Sequence, residues 1–107
     1  MNKKITHIPV MVKEVLSCLS IPKNKAYTVL DCTFGCGGHS KSILEFSNNT
    51  KVIALDCDAN SSYYADQVQS KFGKERFEFY NLNYKFMSKL NYTKFDGILF
   101  DLGVSSL

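Results

Sequence analysis

A chain of 107 residues fits one domain, and a composition of 45% hydrophobic and 21% charged residues excludes a disordered chain. Its formal net charge of +3 comes mostly from dispersed lysines and reads as a solvated surface rather than a dedicated nucleic-acid patch. No run approaches the roughly 18 apolar residues of a membrane span, and the apolar run after the basic Met1–Lys4 is too short and broken for a secretory signal. Cys18, Cys32, Cys36 and Cys57 therefore read as free thiols of a reducing, cytoplasmic setting. Cys32 and Cys36 lack a second Cys/His pair at ligand spacing, so no metal is expected.

In chain order, Pro9 to Leu19 predicts a short amphipathic helix, with Val12, Val15, Leu16 and Leu19 at spacings of three and four. Pro22 and Asn24 mark a connector. Tyr27 to Cys32 is an apolar, β-branched strand with an acid at its end, and Gly35 to Gly38 breaks it. Ser40 to Phe46 resumes as a helix and ends at Asn48-Asn49. Lys51 to Asp56 is a second strand ending at an acid. Asp58 to Phe72 is a helix that Asp58 can cap and Gly73 can close. Arg76 to Tyr80 is a third strand, Tyr84 to Leu90 a short helix, and Phe95 to Asp101 a fourth strand. This alternation implies an α/β fold, a doubly wound parallel sheet in the order 3-2-1-4 with helices on both faces. The fourth strand then has an open apolar edge, from which we expect a longer natural polypeptide, the alternative being that another subunit or a short cap covers the edge.

Three places carry candidate chemistry. Asp31-Cys-Thr-Phe-Gly35-Cys-Gly37-Gly38-His39-Ser40 follows the first strand and opens a helix, where open α/β sheets bind ligands. Its glycines admit close backbone approach, and the helix start suits a carboxylate or a phosphate. The spacing is G-x-G-G, which weakens a dinucleotide reading. Asp56, 21 residues after Gly35, is placed to accept both ribose hydroxyls of an adenosine. The loop Asp101-Leu-Gly-Val-Ser-Ser106 should face the glycine turn, where a substrate would approach a bound cofactor, or it is a turn that merely ends the strand. Tyr84 stands where an aromatic could stack on adenine or simply pack in the core. His39 reads as a cofactor contact or a helix N-terminal residue, and His7 has no assigned role.

Thr33-Phe-Gly-Cys-Gly-Gly-His-Ser40, Leu55-Asp-Cys-Asp58 and Asp96-Gly-Ile-Leu-Phe-Asp-Leu-Gly-Val-Ser-Ser106, with His7-Ile-Pro-Val-Met-Val-Lys-Glu14, closely resemble the MraW/RsmH family of bacterial 16S rRNA (cytosine-N4)-methyltransferases. The resemblance covers nearly the whole chain as the N-terminal part of a Rossmann-like, S-adenosylmethionine-dependent domain. The family's helical substrate-binding insertion and later strands are absent from it. The resemblance implies cofactor contacts from Gly37, Gly38, His39, Asp56, Tyr84 and Asp101, with no catalytic base named. Tyr84 departs from the family's usual Phe and Cys36 from its frequent Arg. Leu107 departs from the family's usual continuation, in which Pro or Met precedes a further cofactor-binding Gln. Implied partners are small-subunit ribosomal RNA or the small ribosomal subunit, with no membrane; a homodimer of the full-length protein stays open. Two rivals are an NAD-dependent oxidoreductase, which would want a third glycine where His39-Ser40-Lys41 stand, and a truncated module without activity of its own.

Overall fold

The computed structural model describes residues 12–22, 24–83, 95–100 and 103–106. In chain order the elements are α1 (Val12–Leu19), β1 (Tyr27–Asp31), α2 (Gly38–Phe46), β2 (Thr50–Leu55), α3 (Ser61–Phe72), β3 (Phe77–Tyr80), β4 (Gly97–Phe100) and β5 (Gly103–Ser106). One sheet runs β3-β2-β1-β4-β5. The first four strands are parallel in the order expected, with Val29 of β1 beside Val52 of β2 and Gly97 of β4. The expected short helix over Tyr84–Leu90 lies outside the described residues.

The fifth strand is a departure. Asp101 to Ser106 reads as a loop beside an open edge, yet Gly103–Ser106 pairs antiparallel with β4, Phe100 opposite Gly103 and Gly97 opposite Ser106. The outer edge of β4 would otherwise present unpaired N–H and C=O groups, and the return strand satisfies them from the same chain.

Strand periodicity divides the core. Tyr27, Val29, Val52, Ala54, Phe77 and Leu99 point to one face, where α1 brings Val15 and Leu19, α2 Ile43 and Leu44, and α3 Ala65 and Val68. Leu30, Ile53 and Leu55 point to the other, packed with Cys32, Tyr80, Leu82, Phe95 and Ile98. All three described helices thus share one face. Phe77 is fully buried in their cluster, a burial worth about 1.5–3 kcal/mol.

Two polar devices fix the helices to the strands. Arg76, just before β3, donates from Nε to Thr50 O at 3.1 Å, and from its terminal nitrogen to Leu44 O at 2.9 Å and to Ser47 O. One guanidinium thus gathers carbonyls from the end of α2, the following turn and the start of β2, with the Phe72 ring 5.6 Å away. At the C-terminus of α3, Gly73 has φ 92° and donates its N–H to Gln69 O, the expected glycine stop. The start of α3 lies three residues later than the sequence suggests. Asp58 spends its carboxylate on the Asn60 N–H and its carbonyl on the Ser61 N–H, forming a turn ahead of the helix.

Candidate cofactor site

The site is built where β1 and β2 end. The last ladder bond between β1 and β4 runs from the Cys32 N–H to Leu99 O at 2.7 Å, and the strand stops where Thr33 folds back, its N–H on Asp31 Oδ1 at 2.9 Å. Phe34 then drops into the core, 3% exposed, its ring 5.5 Å from Phe77 and 5.3 Å from Phe79. This anchor leaves the glycines riding over it. Gly37 donates to Phe34 O at 2.8 Å and accepts from Lys41 N at 2.9 Å, which starts α2.

The glycines of the turn differ in purpose. Gly37 has φ 89°, and a Cβ on it would lie 2.9 Å from Phe34 Cζ and 3.3 Å from Val68 Cγ2. Its lack of a side chain serves the packing beneath. A Cβ on Gly38 would meet nothing within 4 Å, so the open space at this position is on the outer side, over the helix start. No side chain caps α2, which leaves the N–H groups of its first turn to an anionic partner. His39, in that turn, carries a buried Nδ1 with no hydrogen-bond partner.

Asp56, just past β2, ties this turn to the neighbouring strand. Its Oδ2 accepts the Gly35 N–H at 2.7 Å and its Oδ1 the Asp58 N–H at 2.9 Å. Asn81, just past β3, donates from Nδ2 to Asp56 O at 2.7 Å. Each carboxylate oxygen retains acceptor capacity, since an ionised carboxylate has about four lone-pair sites. Beside it opens a cleft of ≈ 360 Å³ walled by Cys32, Thr33, Gly35, Asp56, Cys57, Leu82 and Asn83, in the size range of small-ligand sites.

Two groups near the turn are electrostatically unusual. Asp31 is fully buried. Burial raises its carboxyl above the usual range, opposed by hydrogen bonds from Ser40 and Thr33 and by attraction to His39. Burial, and then the neighbouring Asp31, push the Cys32 thiol up to about 11. Cys32 therefore presents a neutral thiol to the cleft at neutral pH.

Of the residues singled out from sequence, Gly35 and Asp56 meet directly, while Gly37, Gly38 and His39 form the adjoining start of α2. Tyr84 and Asp101 lie outside the described residues. The sequence places Asp31, Thr33 and Phe34 inside the candidate segment but gives them no separate roles, and it does not single out Cys57, Leu82 and Asn83 as cleft walls. The available signal was position: each follows or ends a parallel strand on the sheet edge that carries Asp56.

The fold recurs among solved methyltransferases. An rRNA methylase from Streptococcus thermophilus superposes with a TM-score of 0.64 at 20% identity, over 94% of this chain and 55% of that one. The C-terminal domain of precorrin-6Y C5,15-methyltransferase from Rhodobacter capsulatus gives 0.64 at 15%, over 75% and 42%. Coclaurine N-methyltransferase, solved with N-methylheliamine and SAH, gives 0.59 at 16%, over 68% and 20%. These likenesses speak for the fold. By sequence, the ribosomal RNA small subunit methyltransferase H of Rickettsia massiliae is 50% identical over 103 residues, 95% of this chain and 32% of that protein. The namesake from Rickettsia felis is 46% identical over the same shares. The chain thus spans about a third of the length of the curated relatives it matches. With the model of the MraW methylase family matching residues 4–107, on a glycine turn, a strand-tip acid and a parallel sheet arranged as described, this chain belongs to the MraW methylase family.

Proposed function

We propose that this chain is the cofactor-binding portion of an S-adenosylmethionine-dependent methyltransferase acting on small-subunit ribosomal RNA, and that its acceptor is the N4 exocyclic amine of a cytidine. The observation that carries the cofactor reading is the Asp56 carboxylate held against the Gly35 N–H at the mouth of the ≈ 360 Å³ cleft, beside the uncapped start of α2. The residues present fit the group. Asp56 has acceptor capacity for the ribose hydroxyls, the N–H groups of the α2 start suit a carboxylate, and the buried Nδ1 of His39 lacks a partner. Gly37, Gly38, His39 and Asp56 are thus the cofactor-binding residues proposed here, with Tyr84 and Asp101 added from the family resemblance.

When bound, the cofactor supplies an activated methyl group on a sulfonium. The chain's own contribution is placement, since fixing donor and acceptor in line removes much of the entropic barrier. The names of the relatives from Rickettsia support ribosomal RNA as the substrate class; the cytoplasmic setting proposed here rests on the family resemblance and on the free cysteines. Among the described residues no helix is long and apolar enough to cross a membrane.

Calorimetry on the full-length polypeptide tests the cofactor reading. Adenosylmethionine and its demethylated product should bind, and NAD should not; NAD binding without adenosylmethionine binding would point to the oxidoreductase alternative. Mass spectrometry of 16S rRNA exposed to the enzyme then tests the acceptor. A methyl group on a base other than cytosine would overturn that finer claim.

A further inference from the structure

The cofactor reading leaves one buried ionisable group of the turn without a role. Asp31 is fully buried and forms no part of the cleft wall. Its Oδ2 accepts the Ser40 Oγ–H at 2.6 Å, and its Oδ1 accepts the Thr33 N–H at 2.9 Å and the Thr33 hydroxyl at 3.4 Å. One carboxylate therefore bridges the end of β1, the entry to the glycine turn and the first turn of α2. It also attracts His39, which precedes Ser40 and carries the buried, unpartnered Nδ1. Burying a carboxylate costs several kcal/mol unless it is well hydrogen-bonded. An apolar residue could end β1 without that cost, so the expense calls for a use.

The two acids divide the turn between them. Asp56 braces it at Gly35, on the cleft side. Asp31 braces it at Ser40, on the helix side. If the ribose lies at Asp56, the N–H groups of α2 meet the opposite end of the ligand. We propose that Asp31 is a positioning residue for the amino-acid arm of the cofactor: it touches no ligand, and through Ser40 it fixes where the first turn of α2 presents its N–H groups and His39. This rests on the cofactor reading above. It assigns to Asp31 and Ser40 a selective effect on one end of the ligand.

A ligand pair reads that selectivity. S-adenosylhomocysteine carries the amino-acid arm; 5′-methylthioadenosine keeps the nucleoside and the sulfur and lacks the arm. Titrate both calorimetrically into the full-length protein, as wild type, Ser40→Ala and Asp31→Asn, with thermal melts alongside. Ser40→Ala removes the hydroxyl and keeps the turn small, so it serves where Asp31→Asn fails to fold. The expected result is an affinity for S-adenosylhomocysteine about tenfold weaker in the variants, the scale of one hydrogen bond to a charged group, with 5′-methylthioadenosine within about twofold of wild type. Equal losses for both ligands, or none for either, would overturn the proposal and leave Asp31 a brace of the fold alone. Failure of the wild type to bind S-adenosylhomocysteine at all would instead bring down the cofactor reading itself.

Discussion

Replacing Gly37 by alanine separates a glycine needed for packing from one needed for a ligand. At φ 89° an L-residue sits in the left-handed region, at a cost of about 1–2 kcal/mol. The new Cβ would lie 2.9 Å from Phe34 Cζ, 3.2 Å from Phe34 Cε1 and 3.3 Å from Val68 Cγ2. Phe34 cannot retreat, because its ring is packed on Phe77 and Phe79. Forcing a methyl group into such packing costs about 1–3 kcal/mol more. Against this, losing glycine's freedom in the unfolded chain returns about 0.4–1 kcal/mol. The expected net loss for Gly37→Ala is about 2–4 kcal/mol, a fall in the urea midpoint of about 1–2 M at a slope near 2 kcal/mol/M. Gly38→Ala is the control. Its Cβ meets no atom within 4 Å and its φ is not positive, so stability should stay within about 1 kcal/mol of wild type. The same methyl group stands over the start of α2 and should weaken S-adenosylhomocysteine binding by tenfold or more, about 1.4 kcal/mol. Equal midpoints for the two variants, or a Gly37→Ala loss under about 1 kcal/mol, would refute the packing argument.

Other expectations follow from the same geometry. Arg76→Ala should cost about 2–3 kcal/mol in chemical unfolding, because Leu44, Ser47 and Thr50 carbonyls lose their shared donor; Arg76→Lys should not restore it, as an ammonium cannot span three carbonyls, and full recovery by lysine would contradict the clamp. The raised carboxyl of Asp31 gives a pH signature. Its contribution is fully present below the unfolded pKa and is lost as pH rises through the folded one, so the stability deficit of Asp31→Asn should shrink as pH climbs from about 4. A deficit that grows with pH would reverse the sign and refute the desolvation account. With its thiol pushed up to about 11, Cys32 should alkylate at pH 8 at least about tenfold more slowly than an ordinary cysteine of pKa about 8.5; peptide mass spectrometry over a time course, with exposed Cys18, Cys36 and Cys57 as internal references, reads this directly, and equal rates would refute it.

How far the sequence goes depends on how local each signal is. β1 and β2 are legible because Thr-Val-Leu and Val-Ile-Ala-Leu are apolar runs closed by an acid, and the order of the four parallel strands follows from alternation with helices. Asp56 is legible by its offset from Gly35. Asp31 stands at the same kind of strand tip and looks alike in sequence, yet one acid lines the cleft and the other is buried in the protein. The pleat and the placement of Ser40 decide between them, and neither is a property of the acid's immediate neighbours. Phe34 is hidden for a related reason: between Thr33 and Gly35 it reads as a loop residue, and only the third dimension shows Phe77 and Phe79 beneath it. β5 is not legible because Gly-Val-Ser-Ser is too short for a period-2 pattern and its pairing is fixed by the edge it meets. The start of α3 is hidden because Asp58 is a good cap by type, yet its carboxylate goes to the Asn60 N–H.

The bond between Asp56 and Gly35 also limits how this cleft can be changed. Re-engineering it to favour a ribose bearing a phosphate would call for removing the negative charge at Asp56. That change would strip the Gly35 N–H of the acceptor that holds it at 2.7 Å, loosening the turn on which any ligand must rest. A neutral replacement able to accept in the same direction, asparagine first, has to be tried before a cationic one. In this cleft, altering ligand preference and preserving the shape of its rim are a single design problem.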